Sequence, residues 1–95
     1  MIITICEFKG NFLGNSDGEG IDLEKSIANY QTQVEARIER IEPGTSVAWD
    51  FRNGEGDPDR YFSAEGFDDE DSIQGDVNHI REQVFAEGTF WAFTN

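Results

Sequence analysis

Apolar residues recur along the chain at two kinds of spacing, and these divide it into elements. Over 22–41, Leu23, Ile27, Tyr30, Val34, Ile38 and Ile41 follow one another at steps of 4, 3, 4, 4 and 3, which puts all six on one stripe of a helix. Asp22 stands where an N-cap belongs, Glu24 lies in the favourable first turn, and Pro43-Gly44 stops the segment. A strand competes for part of it. Tyr30, Thr32, Val34, Ala36 and Ile38 alternate, and such a strand would pair across "EPGT" with "SVAWDF" as a hairpin. Six helical matches over twenty residues outweigh five alternating ones over nine, and the segment is rich in Glu, Ala, Gln and Arg. A second helical stripe, Ile73, Val77, Ile80 and Val84, predicts a helix over 69–85. Gly75 inside it costs about 1 kcal/mol relative to alanine.

Shorter runs predict strands. "MIITICEF" opens with Ile2, Ile3, Ile5 and Phe8; "SVAWDF" sets Val47, Trp49 and Phe51 on one face; "RYFSAEGF" and the closing "TFWAFTN" are aromatic. "KGNFLGNSDGEG" and "RNGEGDPD" carry the glycine, asparagine and proline of loops. The order β-α-β-β-α-β predicts one α+β domain over 1–95, a ferredoxin-like antiparallel sheet with two helices on one face. With 30–41 as a strand, the alternative is an antiparallel meander with one main helix.

Charge changes the picture. Twenty Asp and Glu face seven Lys and Arg, a formal net charge of -13. Self-repulsion of that size opposes the compact state, so the excess serves either solubility or a basic partner. Direct binding to nucleic acid is disfavoured because there is no basic patch to displace counterions from phosphate. An anionic membrane surface is disfavoured on the same ground. The opening residues are too short and too soon charged for a secretory signal, no run approaches transmembrane length, and Cys6 has no cysteine to pair with. The expectation is a soluble, cytoplasmic protein.

Tests for chemistry exclude more than they support. "RYFSAEGF" lacks the basic-aromatic motif of an RNA-recognition domain. "FKGNFLGNSDGEG" lacks the arginine with which small acylphosphatases, of similar topology, hold phosphate, and its acids would repel that substrate. Cys6 mid-strand is expected to be a small buried hydrophobe, and His79 a boundary residue beside the second stripe. No residue set can be nominated for an uncharacterised enzyme, and no cofactor is implied. Calcium binding by the acidic loops is the alternative with a pattern behind it. "NSDGEGIDLEKS" sets Asn15, Asp17 and Glu19 at EF-hand ligand positions and Gly20 at the turn. Ser26 then stands where a bidentate glutamate is needed, and Asp22 where an apolar residue belongs, so no metal ligand is assigned.

What the acids do collect into is a surface. Asp68, Asp69, Glu70 and Asp71 precede the second helix, where one cap and one dipole partner would suffice. Between Asp50 and Asp76 there are ten acids, and Arg52 and Arg60 as the bases. Carboxylates held on a rigid scaffold imitate the charge of DNA and would occupy the lysines and arginines that a nucleic-acid-binding protein reserves for phosphate. The candidate partner-binding residues are Asp57, Asp59, Asp68, Asp69, Glu70, Asp71 and Asp76, and the candidate partner is a basic nucleic-acid-binding host protein or complex. The stretch "DDEDSIQG" (68–75) resembles a segment of phage anti-CRISPR inhibitors of type I-F systems, small acidic α+β proteins that mimic double-stranded DNA. The resemblance covers eight residues and implies that Asp68, Asp69, Glu70 and Asp71 stand in for phosphates. Phe90, Trp91 and Phe93 are expected to cover the core as a last strand, with an exposed Trp91 as the interface alternative.

Overall fold

The computed structural model describes residues 1–10 and 20–93, the side chain of Asp59 excepted. Within them run β1 (Ile2–Phe8), α1 (Leu23–Ile41), β2 (Ser46–Arg52), a 3-10 turn (Pro58–Tyr61), β3 (Ser63–Glu65) and α2 (Glu70–Glu87). The sheet is mixed. β1 lies between the other two strands, parallel to β2 from Ile2↔Ser46 to Phe8↔Arg52 and antiparallel to β3 from Ile2↔Glu65 to Thr4↔Ser63.

β1 pairs along both edges and is covered on both faces over Ile5–Phe8, which suits its near-continuous apolar run. Ile3 and Ile5 point to the helices and belong to the main core; Cys6, buried, and Phe8 point the other way. Phe8 lies under the Tyr61 ring, with the Arg52 guanidinium 3.8 Å from the centre of that ring on its own account. α2 buries the whole of its expected stripe and α1 the middle of its own, Leu23 and Ile27 being half-buried and Ile41 45% exposed. α1 contributes Tyr30, Val34 and Ile38, and α2 contributes Ile73, Val77, Ile80 and Val84. Each of these fully buried aliphatic side chains stabilises the fold by about 1.5–3 kcal/mol relative to exposure. Val47, Trp49 and Phe51 of β2 pack against the same core.

The expected helix over 22–41 forms with its expected cap: Asp22 is extended and its Oδ1 accepts from the Lys25 amide at 3.1 Å. The meander alternative is therefore not adopted. The class is α+β, but the ferredoxin-like sheet is not what the described residues build. They form three strands in the order β2-β1-β3, with one parallel pair. Two segments account for the difference. "RYFSAEGF" does not extend throughout, because Pro58 starts a 3-10 turn that carries Tyr61 over Phe8, leaving three strand residues. The closing aromatic run meets the rest of the chain through an isolated bridge, Ile21↔Phe93, and docks on α1 instead of the sheet. There the Asn29 amide donates to the Phe90 carbonyl at 3.1 Å, and the Ala92 amide donates to Ser26 Oγ at 2.8 Å. Phe90 is fully buried; Trp91 lies tilted on it at 4.6 Å and is half-buried, so it is core-covering, whereas Phe93 is 68% exposed.

Candidate functional site

Sequence places the acids; the fold decides which of them meet. Asp69 caps α2, its Oδ1 accepting from the Ser72 amide at 3.1 Å, and Glu70 and Asp71 fill the first turn. All three are satisfied by local physics, since a helix N-terminus carries unpaired amides and partial positive charge. Asp68 precedes the cap and Asp76 lies in the second turn, so neither has that explanation. Replacing Asp69 with alanine should cost about 0.5–2 kcal/mol, while Asp68→Ala should leave the melting temperature within a degree or so of the parent. Equal effects of the two changes on thermal unfolding would contradict this division of labour.

The same end of the molecule gathers residues from three elements. A cleft of about 290 Å³ is lined by Met1, Phe67 and Ile73 on its apolar side and by Glu42, Asp68, Asp69 and Asp76 among its polar groups. Gly66 makes the turn into it with φ of +89°, and a side chain there would sit 3.0 Å from Met1 Cγ. Glu42 was not among the expected residues. It ends α1, thirty-odd positions from Asp76 in the chain, and only the return of α1 to the Met1 end of β1 brings the two together.

The remaining expected residues lie elsewhere. Asp57 sits on the 53–57 loop at the opposite end of β1, where the Gly10 amide donates to the Gly54 carbonyl at 2.7 Å and Gly56 lies against the Phe8 ring. Seven strand residues separate the two ends, roughly 20 Å at about 3.3 Å per residue. The backbone of Asp59 lies in the 3-10 turn on that far side, and its side chain is outside the described residues. Asp68, Asp69, Glu70, Asp71 and Asp76 thus form one exposed group, and Asp57 belongs to another.

A buried polar cluster was not anticipated. Glu7 is 4% exposed on the helix side of β1. Its carboxylate accepts from the Tyr30 hydroxyl of α1 and pairs with the Arg81 guanidinium of α2, Nε lying 3.3 Å from Oε2. Arg81 Nη1 also donates to Asn78 Oδ1 at 2.8 Å. Burial, then the Glu7 charge, pushes the Tyr30 hydroxyl above the usual phenol range. Burial opposes the Arg81 charge, but the Glu7 hydrogen bonds and charge outweigh it and hold the guanidinium protonated. Sequence carried a faint signal: Glu7 interrupts an apolar run at a position in phase with Ile3 and Ile5. Both carboxylate oxygens are occupied, so the cluster ties sheet to helices and offers no free base for catalysis.

Other chemistry finds little support in the geometry. Cys6 is buried and burial raises its thiol, with Asp50 adding to the effect, which keeps it protonated and unreactive. His79 is exposed on α2. Among the described residues no group of three or more His, Cys, Asp or Glu is arranged to hold a metal ion. Asn15, Asp17 and Glu19 of the calcium-loop reading lie outside the described residues. Among the described residues, too, no helix is long and apolar enough to cross a membrane. No protein-family model matches the chain, and no curated protein or solved structure matches it at a significant level.

Proposed function

We propose that this protein is a phage-type anti-defence inhibitor, anti-CRISPR or anti-restriction, that acts in the host cytoplasm by charge mimicry. It occupies the basic nucleic-acid-binding surface of a host protein or complex, without turnover. The observation that carries the reading is the acidic end of α2. Asp68, Asp69, Glu70, Asp71 and Asp76 are exposed together there and Glu42 joins them from the end of α1; Asp69 caps the helix and Glu70 and Asp71 meet its dipole, while Asp68 and Asp76 have no such local role. Ion pairs with Glu87, Asp50 and Glu7 meanwhile engage Arg37, Arg52 and Arg81, three of the seven bases, away from that end. Carboxylates on a helix start and on the packed end of a neighbouring helix keep fixed separations, which a mimic of phosphate requires and a solubilising tail does not. The scale is also suitable. The long axis measures 45 Å, a length over which a duplex presents roughly one phosphate per 1.7 Å of helix axis.

The test leaves Asp69 in place so that the cap survives. A variant carrying Asp68→Asn, Glu70→Gln, Asp71→Asn and Asp76→Asn and the parent are each immobilised and presented with nuclease-treated bacterial lysate. Proteins retained by the parent should elute with salt, should themselves bind duplex DNA, and should release that DNA when the parent is added. Their affinity for the variant should be at least about tenfold weaker, because the removed charges both steer and hold the complex. Retained proteins that hold DNA equally well with or without the parent, or that bind the variant as tightly, refute the proposal.

A further inference from the structure

The sheet ends in two edges, and they are unlike. The β3 edge is three residues long and turns at Gly66 into α2, which is how natural sheets blunt an edge. β2 runs for seven residues in unbroken register with β1, without proline, lysine or a bulge. Among the described residues only β1 pairs with it. The Ser46 amide donates inward to the Met1 carbonyl at 3.0 Å. By the alternation of a strand, the amides and carbonyls of Val47 and Trp49 therefore face outward along the edge.

We propose that two copies of this chain pair through these edges, antiparallel and centred on Ala48, so that two three-stranded sheets become one continuous sheet. The occupant follows from the strand's own sequence. In this register Val47 and Trp49 of one copy exchange both backbone hydrogen bonds with Trp49 and Val47 of the other, joining each β-branched side chain to an aromatic across the strands, a favourable cross-strand pair. Both side chains lie half-buried on the helix side, where the partner's pair would extend their cover. On the opposite face Ala48, exposed and small, meets Ala48 of the second copy at the two-fold axis, where strands approach most closely. Asp50 falls opposite Ser46, a hydroxyl donor, rather than opposite the second Asp50.

Charge agrees with a self-pairing edge. The chain carries -13 overall, but β2 holds one acid and one base, Asp50 and Arg52, joined at 3.0 Å. The contact line is neutral while the rest of each molecule repels the other. Salt should consequently strengthen this association, the opposite of its effect on an acidic surface docked to a basic partner. The pairing stands apart from the inhibitor reading, and either can fail alone.

Sedimentation equilibrium over about two decades of protein concentration, at low and at high salt, tests it. The expected result is a shift from one to two chain masses with concentration, more complete at high salt. Val47→Pro removes an outward amide and no bond to β1, a substitution an edge strand accepts; it should remain monomeric with an unchanged circular dichroism spectrum. Ala48→Glu, which places like charges against each other at the axis from an exposed position, should act likewise and serves if the proline variant does not fold. A single chain mass at every concentration, or dimers of the glutamate variant as tight as those of the parent, would overturn the proposal.

Discussion

Replacing Arg81 with methionine should destabilise the protein by about 3–5 kcal/mol, because it strands the Glu7 carboxylate in the interior with its countercharge gone. Glu7 is 4% exposed, and the pair it makes with Arg81 is sheltered on both sides, with 14% and 5% of the two side chains accessible. Asn78 cannot substitute, since its amide oxygen faces Arg81. Domains of this size have only about 5–15 kcal/mol in total, so urea unfolding should show a much earlier midpoint at an unchanged slope. The argument makes a second demand. The loss comes from an uncompensated charge rather than from a missing attraction, so removing every polar member should restore most of it. The triple variant Glu7→Leu, Tyr30→Phe, Arg81→Met should be at least as stable as Arg81→Met alone by a clear margin, and close to the parent. A triple variant as unstable as the single one would show that the cluster holds the fold together by attraction after all.

The second large effect is expected at Phe90. Truncation to alanine should cost about 3–5 kcal/mol, the usual range for a fully buried aromatic. Phe90 is completely inaccessible and meets Tyr30, Phe85 and Trp91 at ring separations of 5.4, 5.2 and 4.6 Å. Its loss also unseats the segment after α2. That segment is tied to α1 by the Asn29–Phe90 and Ser26–Ala92 bonds and by the Asp22 amide donating to the Ala92 carbonyl at 2.9 Å. Hydrogen exchange should therefore quicken more at the Asp22 and Ala92 amides than at Ile3 or Ile5 in β1. Phe93→Ala, three positions on and largely exposed, should shift stability by no more than about 0.5 kcal/mol. Uniform acceleration across β1 and α1 would mean that this segment opens only with the whole molecule.

These two sites bear on the proposed function through the scaffold. An acidic surface can mimic phosphate only if its carboxylates keep their separations, and the Glu7 cluster fixes α1 and α2 against β1 near the Phe8 end of that strand. Arg37 and Glu87 add a contact between the helices, 2.5 Å apart on the exposed side. Glu42 and Asp76 come from those two helices, so their spacing depends on that packing and not on any local sequence signal. Loosening the core by Arg81→Met should thus weaken partner binding more than any one surface neutralisation, even where the acidic residues are untouched.

Local sequence was enough for both helices, for the Asp22 cap and for most of the buried stripes. A cap, a first turn and a run at helical spacing involve residues within four positions of one another, so Asp22 with Tyr30, Val34 and Ile38, and the stripe of Ile73 and Val77, could be read directly, while which of the four acids before α2 caps it came from the structure. Sequence also determined the excess of acid and its concentration before α2. What those elements lie next to came from long-range packing. The β-branched run of β1 announced a strand, yet which strands would flank it, and in which direction, depended on pairings forty to sixty residues apart. Pro58 and the aromatic pull of Phe8 on Tyr61 broke one expected strand, and the Ser26 and Asn29 side chains drew the last aromatic run onto α1. The acids were divided the same way. Their charge is local, but whether two carboxylates share a surface is settled by where the chain returns, which put Glu42 on one cleft with Asp76 and left Asp57 at the far end of β1.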